Sequence, residues 1–238
     1  MLVKEFNKDT KTYFAIECQS RLYKKQSKHQ KIEIYSSQYY GNILLLEGCF
    51  MLTEKRAEQY KETCVNIINK KKLDNILVIG GGDFEIAKQL LKNKTVGRLN
   101  IVEIDLDVVK CCKKFFALNY KLEKHEHDKV NLVIDDGYKW LKEYKDNPLD
   151  LVIVDCTDPD TAANVLYSSK FYKLVSKKIK KNGIFIQQSG SPLIHQDVLI
   201  KPMIRKLKKN SFKNIRVVQF PMPIYPSGSW SFTACKKV

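Results

Sequence analysis

The sequence predicts an α/β protein: a parallel, doubly wound sheet with an antiparallel ending, preceded by a small antiparallel β-domain. Three observations carry this. Residues 1–52 alternate apolar and polar side chains and are rich in β-branched and aromatic types, the period-two pattern of half-buried strands. From Asn75 onward, short continuous apolar runs alternate with stretches of helical character, as in a sheet covered by helices on both faces. The first of these runs leads directly into Gly80-Gly81-Gly82, a turn in which the backbone can come close to a ligand or to another element.

Within the N-terminal part, Ile32, Ile34 and Tyr35 mark one strand, and Tyr39 through Leu46 a second after a turn at Ser36-Ser37. A helix is expected over 53–69, with Thr53 as its cap and Tyr60, Cys64, Ile67 and Ile68 on one face. The α/β series then runs Ile76–Ile79 (strand), a helix from Asp83, Leu99–Val102 (strand), Asp105–Phe116 (helix) and Val130–Ile134 (strand). It continues with a helix from Tyr138, a strand at Leu149–Val154, a helix near Lys170–Ile179 and a strand at Ile184–Gln187. A helix near Gln196–Lys209 and strands at Ile215–Val218 and Trp230–Ala234 close it. The division is therefore an N-terminal β-domain, 1–52, and a Rossmann-like α/β domain, 53–238.

Composition narrows the class. The chain has 238 residues, 44% of them hydrophobic, enough for a good core. No apolar run is long enough for a membrane-spanning helix and Met1 opens no signal peptide, so a soluble, cytoplasmic protein is expected. Seven cysteines without C-x-x-C spacing argue against a disulfide framework and a metal site; only Cys156 draws interest, through its neighbours. The net charge of +16 raises nucleic acid or an anionic membrane as partners, yet arginine occurs only at 21, 56, 98, 205 and 216. The basicity is lysine scattered over helix faces, which points to solvated surface and away from nucleic-acid or membrane binding.

The candidate ligand residues cluster at strand ends. Glu103 ends the second strand of the series, about 20 residues after the glycines, where a nucleotide-binding α/β fold places the carboxylate that accepts from ribose hydroxyls. The run Gly80-Gly81-Gly82-Asp83-Phe84-Glu85 lacks the last glycine of a dinucleotide fingerprint, and no GK[ST] follows; a nucleoside without a pyrophosphate fits better. Asp136-Gly137 ends the third strand: the aspartate can accept from an adenine amino group or cap the next helix, and the two readings stand side by side. The fourth strand runs into Asp155-Cys156-Thr157-Asp158-Pro159. Its two aspartates can form an acidic pocket mouth, while Asp-Pro by itself is a turn signal. Tyr225-Pro226-Ser227-Gly228 is a turn that could bring a hydroxyl to the same rim.

Together these pieces resemble the spermidine synthase (polyamine aminopropyltransferase) family from about Ser27 to Ala234. The matching segments are Ser27-Lys-His-Gln30, Tyr40-Gly-Asn42 through Leu46-Glu-Gly48, Thr53-Glu54, Tyr60-x-Glu62, Gly80-Gly-Gly-Asp83, Glu103-Ile-Asp105, Asp136-Gly137, Asp155-x-x-Asp158-Pro159, Gln188 and Tyr225-Pro-Ser-Gly228, in family order. The resemblance implies a Rossmann-like sheet of the S-adenosylmethionine-dependent methyltransferase type. It implies aminopropyl transfer from decarboxylated S-adenosylmethionine, a co-substrate rather than a prosthetic group, to putrescine. It would place the nucleoside on Gln30, Glu103, Asp136 and Gly137, with Gly80 and Gly82 giving close backbone approach. Asp83 would hold the aminopropyl amine. Asp155 would be the general base, assisted by Tyr60, with Asp158, Gln188 and Tyr225 on the acceptor. A homodimer or homotetramer with contacts through the N-terminal sheet is also implied.

The chain departs from the family where Gly-Gly would follow Asp83 and Phe84-Glu85 stands instead; a large Phe could narrow the pocket. An acidic pair before Tyr60 is replaced by Arg56-Ala57, the Gly-Pro of the lid by Asp160-Thr161-Ala162-Ala163, and the N-terminal tryptophan is absent. The chain stops at Val238, soon after the last strand. Two other functions stay in view: an S-adenosylmethionine-dependent amine N-methyltransferase on the same fold, and, because of Phe84-Glu85 and the lid changes, a weakly active homologue that binds nucleoside or polyamine and regulates a partner.

Overall fold

The computed structural model describes residues 1–68, 72–159 and 161–238. The N-terminal part holds six strands. β1 (Leu2–Asn7) and β2 (Thr12–Glu17) form a separate hairpin. β3 (Ser20–Gln26), β4 (Lys31–Ser37), β5 (Gly41–Leu46) and β6 (Cys49–Thr53) make a four-stranded antiparallel sheet in chain order. The turn expected at Ser36-Ser37 lies later: both serines pair within β4, opposite Asn42 and Gly41, and residues 38–40 form the loop. Ser37 Oγ accepts from Tyr40 N, which closes that loop.

The helix expected over 53–69 is shorter. Thr53 is the last residue of β6 and its hydroxyl donates to Lys55 O, so it ends a strand rather than capping a helix. α1 spans Glu58–Asn66, and Tyr60, Cys64 and Ile67 are buried as the apolar spacing requires; Asn69 lies outside the described residues. β7 (Leu73–Gly80), α2 (Glu85–Leu91), β8 (Val96–Glu103), α3 (Leu106–Phe115), the short α4 (Lys124–His127), β9 (Val130–Ile134), α5 (Gly137–Glu143), β10 (Leu149–Asp155), α6 (Ser169–Lys178) and β11 (Ile179–Gln188) follow. The helix read over 196–209 is composite: α7 (Pro192–His195), a wide turn at Gln196–Ile200, then α8 (Lys201–Lys209). Pro202 stands near the start of α8, where its missing N–H breaks the regular ladder behind it. β12 (Phe212–Pro221) and β13 (Ser229–Lys237) complete the chain.

The seven strands from β7 on form one sheet in the order β12-β13-β11-β10-β7-β8-β9, with β13 antiparallel to β11 and to β12. Burial on both faces explains the continuous apolar runs. Ile76, Val78, Leu151, Ile153, Ile184 and Ile186 point into one core with α1, α2 and part of the N-terminal sheet. Leu77, Ile79, Val152, Val154 and Phe185 point into the other, with α5, α6 and α8. The outer face of the four-stranded sheet packs Ile32, Ile34, Leu44 and Leu52 on Val108, Cys112 and Phe116 of and beyond α3.

Successive connections leave β7 in opposite directions, to β8 and β9 on one side and to β10 and β11 on the other. A crevice opens at such a reversal, over the carboxyl ends of the strands. Among the described residues, no helix is long and apolar enough to cross a membrane. Ile153 is fully buried in the central strand, so Ile153→Ala should cost about 2–5 kcal/mol, read as a fall in the urea midpoint at unchanged slope.

Candidate active site

A cavity of about 950 Å³ lies in that crevice. Gly80 forms its floor. It pairs with Asp155 across β7 and β10 and has φ +82°, and a Cβ there would lie 1.9 Å from the Asp155 carbonyl oxygen; only glycine permits this approach. Gly81 N then donates to Asp155 O at 3.1 Å. The glycine turn thus brings the ends of the two central strands, and the carboxylates they carry, against one another.

At one end of the cavity are Gln30, Gly82, Glu103, Asp136 and Gly137. Glu103 Oε2 accepts from Gly82 N at 3.2 Å and Oε1 from Asp105 N at 2.9 Å. Each oxygen keeps a lone pair, so the carboxylate can still take two hydroxyl donors. Burial pushes its pKa up to about 7 against those two amide bonds, and Asp105 and Asp83 add to the rise. Gln30 reaches across from the N-terminal sheet and donates to Asp105 Oδ2 at 3.2 Å. Asp136 caps α5, its Oδ1 accepting from Lys139 N at 2.9 Å, and also lines the cavity; capping and ligand binding are compatible in one side chain. Gly137 serves packing as well: a Cβ there would meet Ile79 Cγ2 at 2.3 Å.

At the centre are Asp83 and Asp155. Asp83 Oδ1 accepts from Glu85 N at 2.8 Å. Burial raises its pKa, opposed by that amide and by the Lys61 charge. Tyr60 donates to Asp155 Oδ1 at 2.6 Å from within a ring cluster of Phe220, Tyr225 and Phe232. Burial pushes Asp155 up to about 8, the Asp83 charge adds to this, and the Tyr60 bond opposes it. The arrangement is a carboxyl that is costly to ionise without a cation beside it.

Beyond lie Asp158, Tyr225 and Trp230. Tyr225 lines the cavity, but its hydroxyl proton is committed to Met51 O at 2.8 Å, which leaves the oxygen as an acceptor. Gln188, expected to touch an acceptor, does not line the cavity. Its Nε2 donates to Asp158 Oδ1, Cys156 O and Tyr167 OH, and its Oε1 accepts from Trp230 Nε1 and Gly190 N. Through these bonds it holds Asp158, which does line the cavity. Cys156 is no reactive thiol: burial pushes its pKa far up, and it sits 3.9 Å from Tyr167 OH. All seven cysteines are free thiols.

Two features were not read from the sequence. Glu5 lines the far end of the cavity, its carboxylate accepting from Phe50 N at 2.8 Å and raised to about 7 by burial. Its signal was parity, because it shares a strand face with the buried Val3. Asp9 lies 3.4 Å from His195 and joins the first hairpin to α7 at the same end, a pairing that no local pattern encodes. The expected narrowing by Phe84 does not occur. Phe84 has φ +66°, is buried outside the cavity and stacks on Tyr120 at 4.4 Å. Of the altered lid, Asp160 lies outside the described residues, and Thr161 donates to Asp158 O at 2.7 Å.

A family model described as the spermine/spermidine synthase domain matches residues 57–238, and one described as the spermidine synthase tetramerisation domain matches residues 3–54. The polyamine aminopropyltransferase of Methanocaldococcus jannaschii is 40% identical over 219 residues, which is 91% of this chain and 73% of that protein. The polyamine aminopropyltransferase of Thioalkalivibrio sulfidiphilus is 35% identical over 228 residues, 94% of this chain and 80% of the relative. Among solved structures, spermidine synthase in complex with the transition-state analogue AdoDATO superposes with TM-score 0.92, and the Thermotoga maritima spermidine synthase with 0.89. Both are 26% identical, over 100% of this chain and 80% of theirs.

The Asp155 environment has a stability consequence. A carboxyl raised from 3.8 to about 8 on folding binds more protons in the folded chain than in the unfolded one. Its contribution is therefore lost as pH rises from about 4 to about 8. Asp155→Asn removes that loss, so the free variant should melt above the wild type, and its advantage should be larger at pH 9 than at pH 5 by at least about 3 °C. Scanning calorimetry at the two pH values checks this.

Proposed function

The chain belongs to the spermine/spermidine synthase family and is an aminopropyltransferase that draws on decarboxylated S-adenosylmethionine; we propose that the group goes to putrescine, giving spermidine and methylthioadenosine. The observation that carries the residue assignments is that Asp83, Asp155 and Asp158 face one cavity, with Glu103 beside them.

In this reading Glu103 takes the ribose hydroxyls, Asp136 the adenine amino group, and Gln30 with the Gly80–Gly82 backbone closes around the nucleoside. Asp83 holds the aminopropyl ammonium. A carboxylate there disfavours the carboxylate of intact S-adenosylmethionine, because like charges in a partly desolvated site repel at the kcal/mol scale. The acceptor lies between Asp155 and the Asp158–Glu5 end, so that one amine faces the cofactor and the other is held by carboxylates. Arriving as an ammonium, the attacking amine is first bound by Asp155 as a cation and then gives it a proton. Its lone pair attacks the methylene carbon of the aminopropyl group, the carbon–sulfur bond breaks, and the electron pair neutralises the sulfonium. The leaving thioether needs no acid. Tyr60 fixes Asp155 Oδ1, which leaves Oδ2 for the amine, and the remaining work is alignment of nitrogen, carbon and sulfur. Because Phe84 stays out of the cavity, the bulk that motivated a weakly active homologue does not obstruct the site.

The same proposal extends to assembly and place. Residues 1–52 would form the contact region of an oligomer, since Leu2, Phe6, Tyr13 and Leu22 are exposed there. Seven free thiols suit the reducing cytoplasm.

Purified protein given decarboxylated S-adenosylmethionine and putrescine should form spermidine and methylthioadenosine in equal amounts by mass spectrometry; normal cofactor binding without product would overturn the proposal. Asp155→Asn should lower turnover at least about 100-fold with little change in cofactor affinity. Glu103→Ala should act in the opposite order, weakening cofactor binding first, as titration calorimetry would show.

A further inference from the structure

Glu85 stands where the family resemblance calls for glycine, and it is not idle surface. It is 7% exposed and lines the catalytic cavity two residues from Asp83. Its Oε1 lies 2.7 Å from Lys61 Nζ, and the lysine side chain is half-buried at 23% exposure. Lys61 follows Tyr60 on α1, so adjacent residues of one helix hold Asp155 and Glu85. The Glu85 N–H in turn donates to Asp83 Oδ1 at 2.8 Å. The Lys61 charge reaches Asp83 and favours its ionised form. The aspartate assigned to the aminopropyl ammonium therefore lies within reach of a half-buried lysine whose charge is cancelled at close range by Glu85.

We infer that Glu85 is a specificity-determining residue, which by neutralising Lys61 keeps the aminopropyl end of the pocket attractive to an ammonium and closed to the carboxylate of intact S-adenosylmethionine. This rests on the aminopropyltransferase reading of the site. A close ion pair presents almost no net charge to a third group. Without Glu85, Lys61 would stand as an unbalanced cation next to Asp83: it would repel the ammonium of the decarboxylated cofactor and offer a partner to the carboxylate of the intact one. Glycine at this position leaves no such control, and the lysine and the glutamate make sense only together.

The test is titration calorimetry with three ligands: decarboxylated S-adenosylmethionine, S-adenosylmethionine, and methylthioadenosine, which lacks the charged end. In Glu85→Gln, the preference for the decarboxylated over the intact cofactor should fall at least about tenfold, the effect of one uncompensated charge at short range. Methylthioadenosine affinity should stay within about twofold, since the nucleoside contacts are untouched. In Lys61→Met/Glu85→Gln, which removes both charges, the preference should return toward the wild-type value. Should Glu85→Gln fold poorly, the exchanged pair Lys61→Glu/Glu85→Lys keeps a neutral ion pair and should keep the preference near the wild-type value. An unchanged preference in Glu85→Gln, or a lost preference in the exchanged pair, with methylthioadenosine binding intact would overturn the inference. A wild type that binds the intact cofactor as tightly as the decarboxylated one would instead contradict the underlying reading of the pocket.

Discussion

The structure is organised around an electrostatic cost: five carboxylates, those of Asp83, Glu85, Glu103, Asp155 and Asp158, crowd one cavity rim at the carboxyl edge of a sheet. Acids crowded into a desolvated pocket repel one another and resist ionisation, and Glu103 and Asp155 are raised well above their ordinary range, as is Glu85 in spite of its pairing with Lys61. The fold holds this arrangement together with backbone amides. Gly82 and Asp105 donate to Glu103, the Glu85 amide to Asp83, and the Lys139 amide to Asp136. Most of these donors stand at strand–helix turns and first helical turns, where N–H groups have no partner in the helix and the helix dipole favours negative charge. Side chains hold the others: Lys61 pairs with Glu85, Gln188 donates to Asp158, and the Tyr60 phenol donates to Asp155.

The N-terminal sheet completes this rim rather than merely preceding it. Gln30 bonds Asp105, Lys25 pairs with Asp107 at 2.7 Å, and Asn42 Nδ2 donates to Phe115 O at 2.8 Å, all onto or beside α3. Met51 O receives the Tyr225 hydroxyl, and Glu5 on β1 adds a carboxylate at the far end. A chain with a formal charge of +16 thus reverses sign locally, as a pocket for two cationic substrates requires.

The legible parts of the site were those whose spacing the βαβ unit dictates. Glycines after the first strand, Glu103 at the end of the second and Asp136 after the third must fall near the same edge of a parallel sheet, and they do. Thr53 was misread because a threonine before a polar stretch signals a helix cap as well as a strand end, and the hydroxyl's bond to Lys55 O decides for the latter. Gln188 stands at the right strand end, but its partners, Trp230, Tyr167 and Asp158, come from distant segments, and no local pattern shows that they converge on its amide. Phe84 was judged by size; its left-handed backbone turns the ring onto Tyr120 instead of into the cavity. Glu5 and the Asp9–His195 contact depend on how a hairpin lies against another sheet, which no periodicity records.

If crowded carboxylates are relieved by a cationic ligand, binding must drive protons off them. Titration of decarboxylated S-adenosylmethionine into the protein at pH 7, in Tris and in phosphate, measures this directly, because released protons are taken up by the buffer with very different heats. Net proton release, seen as a more exothermic signal in Tris, is the expected result. Equal heats in the two buffers, or proton uptake, would contradict the account of Glu103 and Asp155 as acids held partly neutral until a cation arrives.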